Sequence, residues 1–240
     1  MFGLELVSVG LFHLAALDAK PSADKIECSP QKTILIDVVS AQDDVRYDFS
    51  KKTAELNRIG KGAYSPYDEG HSNTEFGGLT VGKQSLSHDI DFYFDKYKDE
   101  GLACLQIQKV TVTMKYAPIV YVSTKFEKGT PIFHRILEHE KEHVKITQRM
   151  LDKYVSILEE RLENELQHGF SAGPFSIDNL EREQQRFENR VRRTMVKVGR
   201  AMHKEARKQH NLFDDEELDD AIEYNQGIAR KLEKIFKMHD

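Results

Sequence analysis

The 240-residue chain has no tryptophan, only two cysteines, and no apolar run long enough to cross a bilayer. A spanning helix needs about 20 largely apolar residues, so no membrane span is expected in the mature chain. Two cysteines exclude a four-cysteine zinc site. Cys28 and Cys104 leave two readings open: a disulfide closing a long loop in an exported protein, or two buried thiols. Charge of one sign is also lacking, since 40 acidic and 35 basic residues are mixed along the chain and leave a net charge of −5. No basic stripe with interleaved aromatics occurs, so nucleic acid is not an expected partner. Hydrophobic residues at 39% suffice for the core of one domain, and charged residues at 31% demand a densely charged surface. Nothing in the pattern fixes an oligomeric state.

Met1–Ala19 reads MFGLELVSVGLFHLAALDA, apolar from Leu4 to Leu17 and followed by small residues. That is the pattern of a secretory signal peptide, and it predicts a secreted or periplasmic protein. Glu5 and His13 run against the pattern, and an amphipathic first element of the domain is the alternative. Residues 20–240 read as one domain, mostly β over 20–130 and helical over 131–240. Strands are expected at Thr33–Val39, Val45–Phe49, Ile90–Phe94, Ala103–Tyr116 (with a bulge near Lys109) and, after Pro118, Ile119–Val122. A short helix is expected at Lys52–Arg58, and the glycine-rich stretch Gly60–Gly82 reads as a long loop. Helical periodicity then predicts three helices: Pro131 to about His168, Ser176 to His210, and Glu216 to Met238. Strands first and helices after predict an α+β fold, an antiparallel sheet followed by a long helical hairpin and a third C-terminal helix.

The chemistry-bearing pattern is His139-Glu140-Lys141-Glu142-His143, an H-E-x-x-H motif. Four residues are little more than one helical turn, so both imidazoles leave one side of the helix and can share a metal ion. Glu140 falls at the centre of the apolar stripe, between Leu137 and Val144. A carboxylate is costly to bury without a partner, and a water on a metal would be that partner. The expected roles are His139 and His143 as ligands of Zn²⁺ and Glu140 as general base. The alternative is a charged surface helix with incidental histidines, which accounts for Glu138, Lys141 and Glu142 but not for Glu140.

A catalytic zinc takes about three protein ligands. Gly and His at positions 146 and 149 would supply one known solution, but Ile146 and Arg149 stand there. Glu163 lies too far along an unbroken helix. A hairpin turning near Ala172 sets His139 and His143 against Arg200–Lys204. Glu205 is therefore the expected third ligand, with His203 as the alternative. His210 is a candidate donor to an oxyanion, or a cap of its helix. His134 is near the site without a motif of its own.

The chain resembles a bacterial family of predicted secreted zinc-dependent proteases, a domain of unknown function. The likeness rests on Val45-Arg46-Tyr47-Asp48-Phe49-Ser50 with Thr53-Ala54-Glu55-Leu56, on Cys104 ahead of Val110-Thr111-Val112 and Pro118, and on His139-Glu140-x-x-His143. It covers about residues 45–211. After the second helix the family has an aromatic residue and an acid, then His-Gly, and here only Glu205 and His210 match in spacing. The resemblance implies a zincin-like fold and export but supplies no substrate; a peptide or protein substrate is the expectation from the motif. The expected function is a zinc metallopeptidase using metal-activated water, with Ile119–Val122 as an edge strand that pairs an extended peptide. The alternative is a non-catalytic helical interaction module. A di-iron site needs two Glu-x-x-His motifs and is disfavoured, because Glu140-x-x-His143 is one but Arg200 and Arg207 stand three residues before His203 and His210.

Overall fold

A computed structural model describes residues 26–28, 33–62, 77–167 and 169–236, with residues 217–236 as helix backbone only. The expected leader, Met1–Ala19, and the 63–76 part of the glycine-rich loop lie outside these residues. Among the described residues, a five-stranded sheet is built on one long strand. In chain order the elements are β1 (Leu35–Gln42), β2 (Arg46–Asp48), α1 (Thr53–Gly62), β3 (Gly78–Tyr97), β4 (Leu102–Val122), α2 (Pro131–Leu166), β5 (Ser171–Ser176) and α3 (Leu180–Phe236).

β4 organises everything else. β3 pairs antiparallel along its whole length, from Gly78 opposite Val122 to Tyr97 opposite Leu102. The other side of β4 takes β5 antiparallel, then β1 and β2 parallel. The sheet is therefore mixed, and the expected antiparallel sheet is corrected. Parallel pairing has no local signature, because β1 and β4 are joined through β2, α1 and β3. The bulge does fall where alternation breaks: the register slips between Asp91 and Phe92, opposite Lys109 and Ile107. Pro118 does not divide β4. Ile119–Val122 continues it and is flanked by β2 on one side and β3 on the other. That segment is central, so the expected peptide-pairing edge does not exist there.

Alternation along β4 sorts the two faces. Val110, Val112, Met114, Tyr116 and Val120 are buried under α2 and α3, and Leu151, Leu158, Leu162, Phe187, Val191 and Met195 close the core from above. On the opposite face, α1 covers one end of the sheet through Leu56, Leu79 and Tyr121. The α2 N-terminus follows local rules: Thr130 caps it by accepting from Phe133 N at 3.3 Å, and Pro131 stands in its first turn.

The helices depart from expectation in two ways. The Ser171–Pro174 cluster is not a bare turn but part of β5, on the edge of the sheet beside Leu102–Gln106. Gly173 makes this approach possible, since at φ +128 a Cβ there would sit 2.9 Å from Ala103 O and Cys104 Cα. The expected second and third helices are one, since α3 runs unbroken through Asn211–Asp215.

Cys28 and Cys104 form a disulfide, so the paired alternative is the one adopted. It fastens the segment ahead of β1 to the central strand across 76 residues. Closing a loop of that length contributes about 4 kcal/mol. The double variant Cys28→Ser/Cys104→Ser is expected to lose that much in urea unfolding, and an unchanged midpoint would show that the bond contributes nothing.

Candidate metal centre

The stripe on α2 changes character along its length. From Leu151 through Leu158 and Leu162 to Leu166 it is aliphatic, but at Glu140, His143 and Thr147 the same buried face is polar. The stripe on α3 does likewise: Phe187, Val191, Met195, Val198, Met202 and Ala206 are buried and are followed by buried His210. One turn further, Asp214 extends the same face. The two polar ends meet.

His139, His143 and Asp214 bring three ligand atoms together. His143 Nε2 lies 3.1 Å from His139 Nε2 and 3.1 Å from Asp214 Oδ1, and His139 Nε2 lies 3.4 Å from the same oxygen. Atoms about 2.0–2.1 Å from a tetrahedral zinc stand about 3.3–3.4 Å apart, so these three edges fit one small ion. Asp214 Oδ1 is buried and faces both rings at once. A proton on one Nε2 could serve a single edge, whereas a cation at the centre serves all three. Burial pushes the Asp214 carboxyl up, but His139 and His143 outweigh it and hold it down at about 2. His143 is 2% exposed, while His139 and Asp214 are about a quarter exposed, which leaves the cluster one side toward solvent. Phe213 stacks on His139 at 5.0 Å and meets the edge of His143 at 5.3 Å, fixing both rings.

Glu140 is buried, at 4% exposure, and its Oε2 has no hydrogen-bond partner among the described residues. Burial raises its pKa, with His143, His139 and the Thr80 side chain opposing. The Thr80 hydroxyl also donates to Glu140 O at 2.8 Å, tying α2 to the start of β3. Gly78 makes the space for the carboxylate. A Cβ there would stand 2.6 Å from Glu140 Oε1 and 2.6 Å from Ile136 Cγ2. Gly78→Ala is therefore expected to displace the Glu140 carboxylate. A crystal structure of the folded variant with the Glu140 side chain unmoved would show that Gly78 does not set its position.

The remaining candidates separate from this centre. Glu205 accepts from Lys153 Nζ at 2.5 Å and from Tyr154 OH at 2.9 Å, and is not among the converging ligands. These two donors, Lys153 first, hold its carboxyl below the usual glutamate range. His203 is on an exposed part of α3 outside the cluster. His210 is close but turned to another purpose. Its Nδ1 lies 2.9 Å from His143 Nδ1 and its Nε2 lies 3.2 Å from Thr147 Oγ1, so neither ring nitrogen is left for an oxyanion. Burial, then His143, pushes its pKa down to about 4. His134 is exposed and packs edge-on against Phe133.

Glu205 lies outside the cluster for a single reason, the position of the hairpin's pivot. His143 pairs with His210, Tyr154 with Glu205 and Glu165 with Arg190. These pairs centre about six residues beyond Ala172, because β5 and the 3₁₀ turn Ile177–Asn179 lengthen the connection. Partners of the motif therefore move about ten residues along α3, from Arg200–Lys204 to His210–Asp214. A sequence signal for this was present: His210-x-x-x-Asp214 repeats the i, i+4 spacing of His139-x-x-x-His143 on the same stripe as Met202 and Ala206.

Fold and site together define a mixed helix-and-sheet protein whose two long helices carry a His–His–Asp cluster of metal-ligand type beside a buried glutamate. Comparison with family models, with curated proteins and with solved structures gives no match.

Proposed function

We propose that this chain is a zinc-dependent hydrolase, a metallopeptidase of the H-E-x-x-H type, with His139, His143 and Asp214 as ligands and Glu140 as general base. The observation that carries the reading is the meeting of three ligand atoms at 3.1–3.4 Å beside a buried carboxylate oxygen without a partner. Two imidazoles and one carboxylate are a donor set that zinc accepts, with a fourth position free for chemistry. Such an ion supplies Lewis acidity, polarising a carbonyl and acidifying a water to a pKa of about 7. Glu140 Oε2 receives the proton of the attacking water and passes it to the leaving amine. Its apolar surroundings keep its affinity for that proton above that of a solvated glutamate. His139 and Asp214, both partly exposed, border the side from which substrate arrives.

A peptide substrate is part of the proposal. It rests on the motif and on β3. Among the described residues β3 pairs with β4 alone, and its first residues, Gly78–Thr80, lie against Glu140. An extended chain pairing there would pass the centre. The zincin-like assignment of the fold belongs to the same proposal. Export is proposed as well, supported by the leader-like Met1–Ala19 and by a disulfide of the kind that persists in oxidising compartments. No described helix is long and apolar enough to cross a membrane. The test is hydrolysis of a mixed peptide library by the zinc-loaded chain, read by mass spectrometry. Cleavage that a chelator stops and zinc restores is expected, and a zinc-loaded, folded chain that cleaves nothing would overturn the peptidase reading.

A further inference from the structure

Behind the cluster lie three buried polar side chains to which the proposed reaction gives no part. His210 is on α3, Thr147 on α2 and Tyr116 on β4, and they are 8%, 5% and 2% exposed. They form a continuous line. His143 Nδ1 meets His210 Nδ1 at 2.9 Å, His210 Nε2 meets Thr147 Oγ1 at 3.2 Å, and the Thr147 side chain lies beside the Tyr116 phenol. The Tyr116 ring in turn lies across Gly82 of β3, where any side chain would collide with it. The line thus starts in the sheet and ends on a ligand ring.

The protons along it are not free to choose. For His143 to aim the Nε2 lone pair at the point shared with His139 and Asp214, its proton must sit on Nδ1. From there it is donated to His210 Nδ1, which must then be an acceptor. His210 consequently carries its proton on Nε2 and donates it to Thr147 Oγ1. A histidine side chain in water prefers the opposite tautomer, with the proton on Nε2, which would turn an N–H toward the ion.

We propose that His210, anchored by Thr147, is a positioning residue that accepts the Nδ1 proton of His143 and so commits His143 to its metal-ligating tautomer. This rests on the reading of His139, His143 and Asp214 as a metal site. Partners of this kind typically govern metal affinity by 10- to 100-fold.

The experiment uses the full chain and three variants: His210→Leu, which removes the acceptor at similar volume; His210→Gln, which keeps one; and Thr147→Val, which removes the anchor. Zinc affinity is measured by competition with a chelator. The tautomer of His143 is read in the metal-free protein from imidazole ¹⁵N shifts. In the wild type the proton is expected on Nδ1. In His210→Leu it should move to Nε2 and zinc affinity should fall about 10- to 100-fold. His210→Gln should recover most of the loss, and Thr147→Val should lose a few-fold. A folded His210→Leu with an unchanged His143 tautomer, or with zinc affinity within twofold of wild type, overturns the inference and leaves the metal site standing. If His210→Leu does not fold, the same two readouts on Thr147→Val decide, and no change in either overturns it. A wild-type chain that binds no zinc overturns the metal reading itself, and the inference with it.

Discussion

Glu140→Gln is expected to abolish hydrolysis, by roughly 10²- to 10⁴-fold in kcat, while zinc affinity stays within about threefold of wild type. The amide fills the same space beside Gly78 but cannot take a proton from water. A second effect separates this role from a merely structural one. In the metal-free chain, burial raises the Glu140 pKa above its usual 4.5, so the folded state holds a proton that the unfolded state has lost. Stability therefore falls as pH rises from about 4.5 through the raised value, because ionising this carboxyl indoors is unfavourable. The glutamine variant escapes that loss. Above the window it should be more stable than wild type by about 1–3 kcal/mol, the usual penalty for a buried group without a partner. At pH 4 the two should unfold together. Denaturant titrations in chelator at pH 4 and pH 8 read the difference. A variant with full hydrolytic rate would remove Glu140 from the chemistry, and one less stable than wild type at pH 8 would mean that its carboxylate is satisfied within the fold.

The second large effect concerns the third ligand. His143→Ala and Asp214→Ala are each expected to lower zinc affinity by about 10²- to 10³-fold. A complete structural site is worth about 10–16 kcal/mol, and each of its few ligands carries a comparable share. Glu205→Ala should leave affinity within about twofold, since that carboxylate is engaged by Lys153 and Tyr154. The comparison is decisive because Glu205 and Asp214 share a helix, two and a half turns apart, yet only one of them reaches the cluster. Loss of zinc in Glu205→Ala with retention in Asp214→Ala would reverse the assignment. Isothermal titration against a zinc buffer measures both.

What could be read from the sequence was what neighbours along the chain decide. His139 and His143 share a helix face by spacing alone, and Glu140 on an apolar stripe signals a buried carboxylate before any fold is known. The β4 alternation and the break near Lys109 are equally local. Asp214 was missed for two reasons, and neither is local. The hairpin register depends on β5 joining the sheet edge, a pairing with residues about seventy positions earlier in the chain. And Asn211–Asp215 looked like a helix end. Asn and Asp cost only a few tenths of a kcal/mol each in a helix interior, too little to stop one that His210 and Phe213 hold against α2. The parallel placement of β1 and β2 was invisible for the same reason as the register: strand direction follows from the path of the whole chain. Pro118 misled in the opposite sense, since proline is tolerated within β4 at a place where a strand end was expected.

On the proposed reading, one ion joins His139, His143 and Asp214. The most direct measurement is an anomalous difference map at the zinc edge from crystals of the zinc-loaded protein. A single strong peak is predicted about 2.0–2.1 Å from Nε2 of both histidines and from an Asp214 carboxylate oxygen. A peak beside Glu205 instead, or no peak in crystals of protein that has taken up zinc in solution, would contradict it.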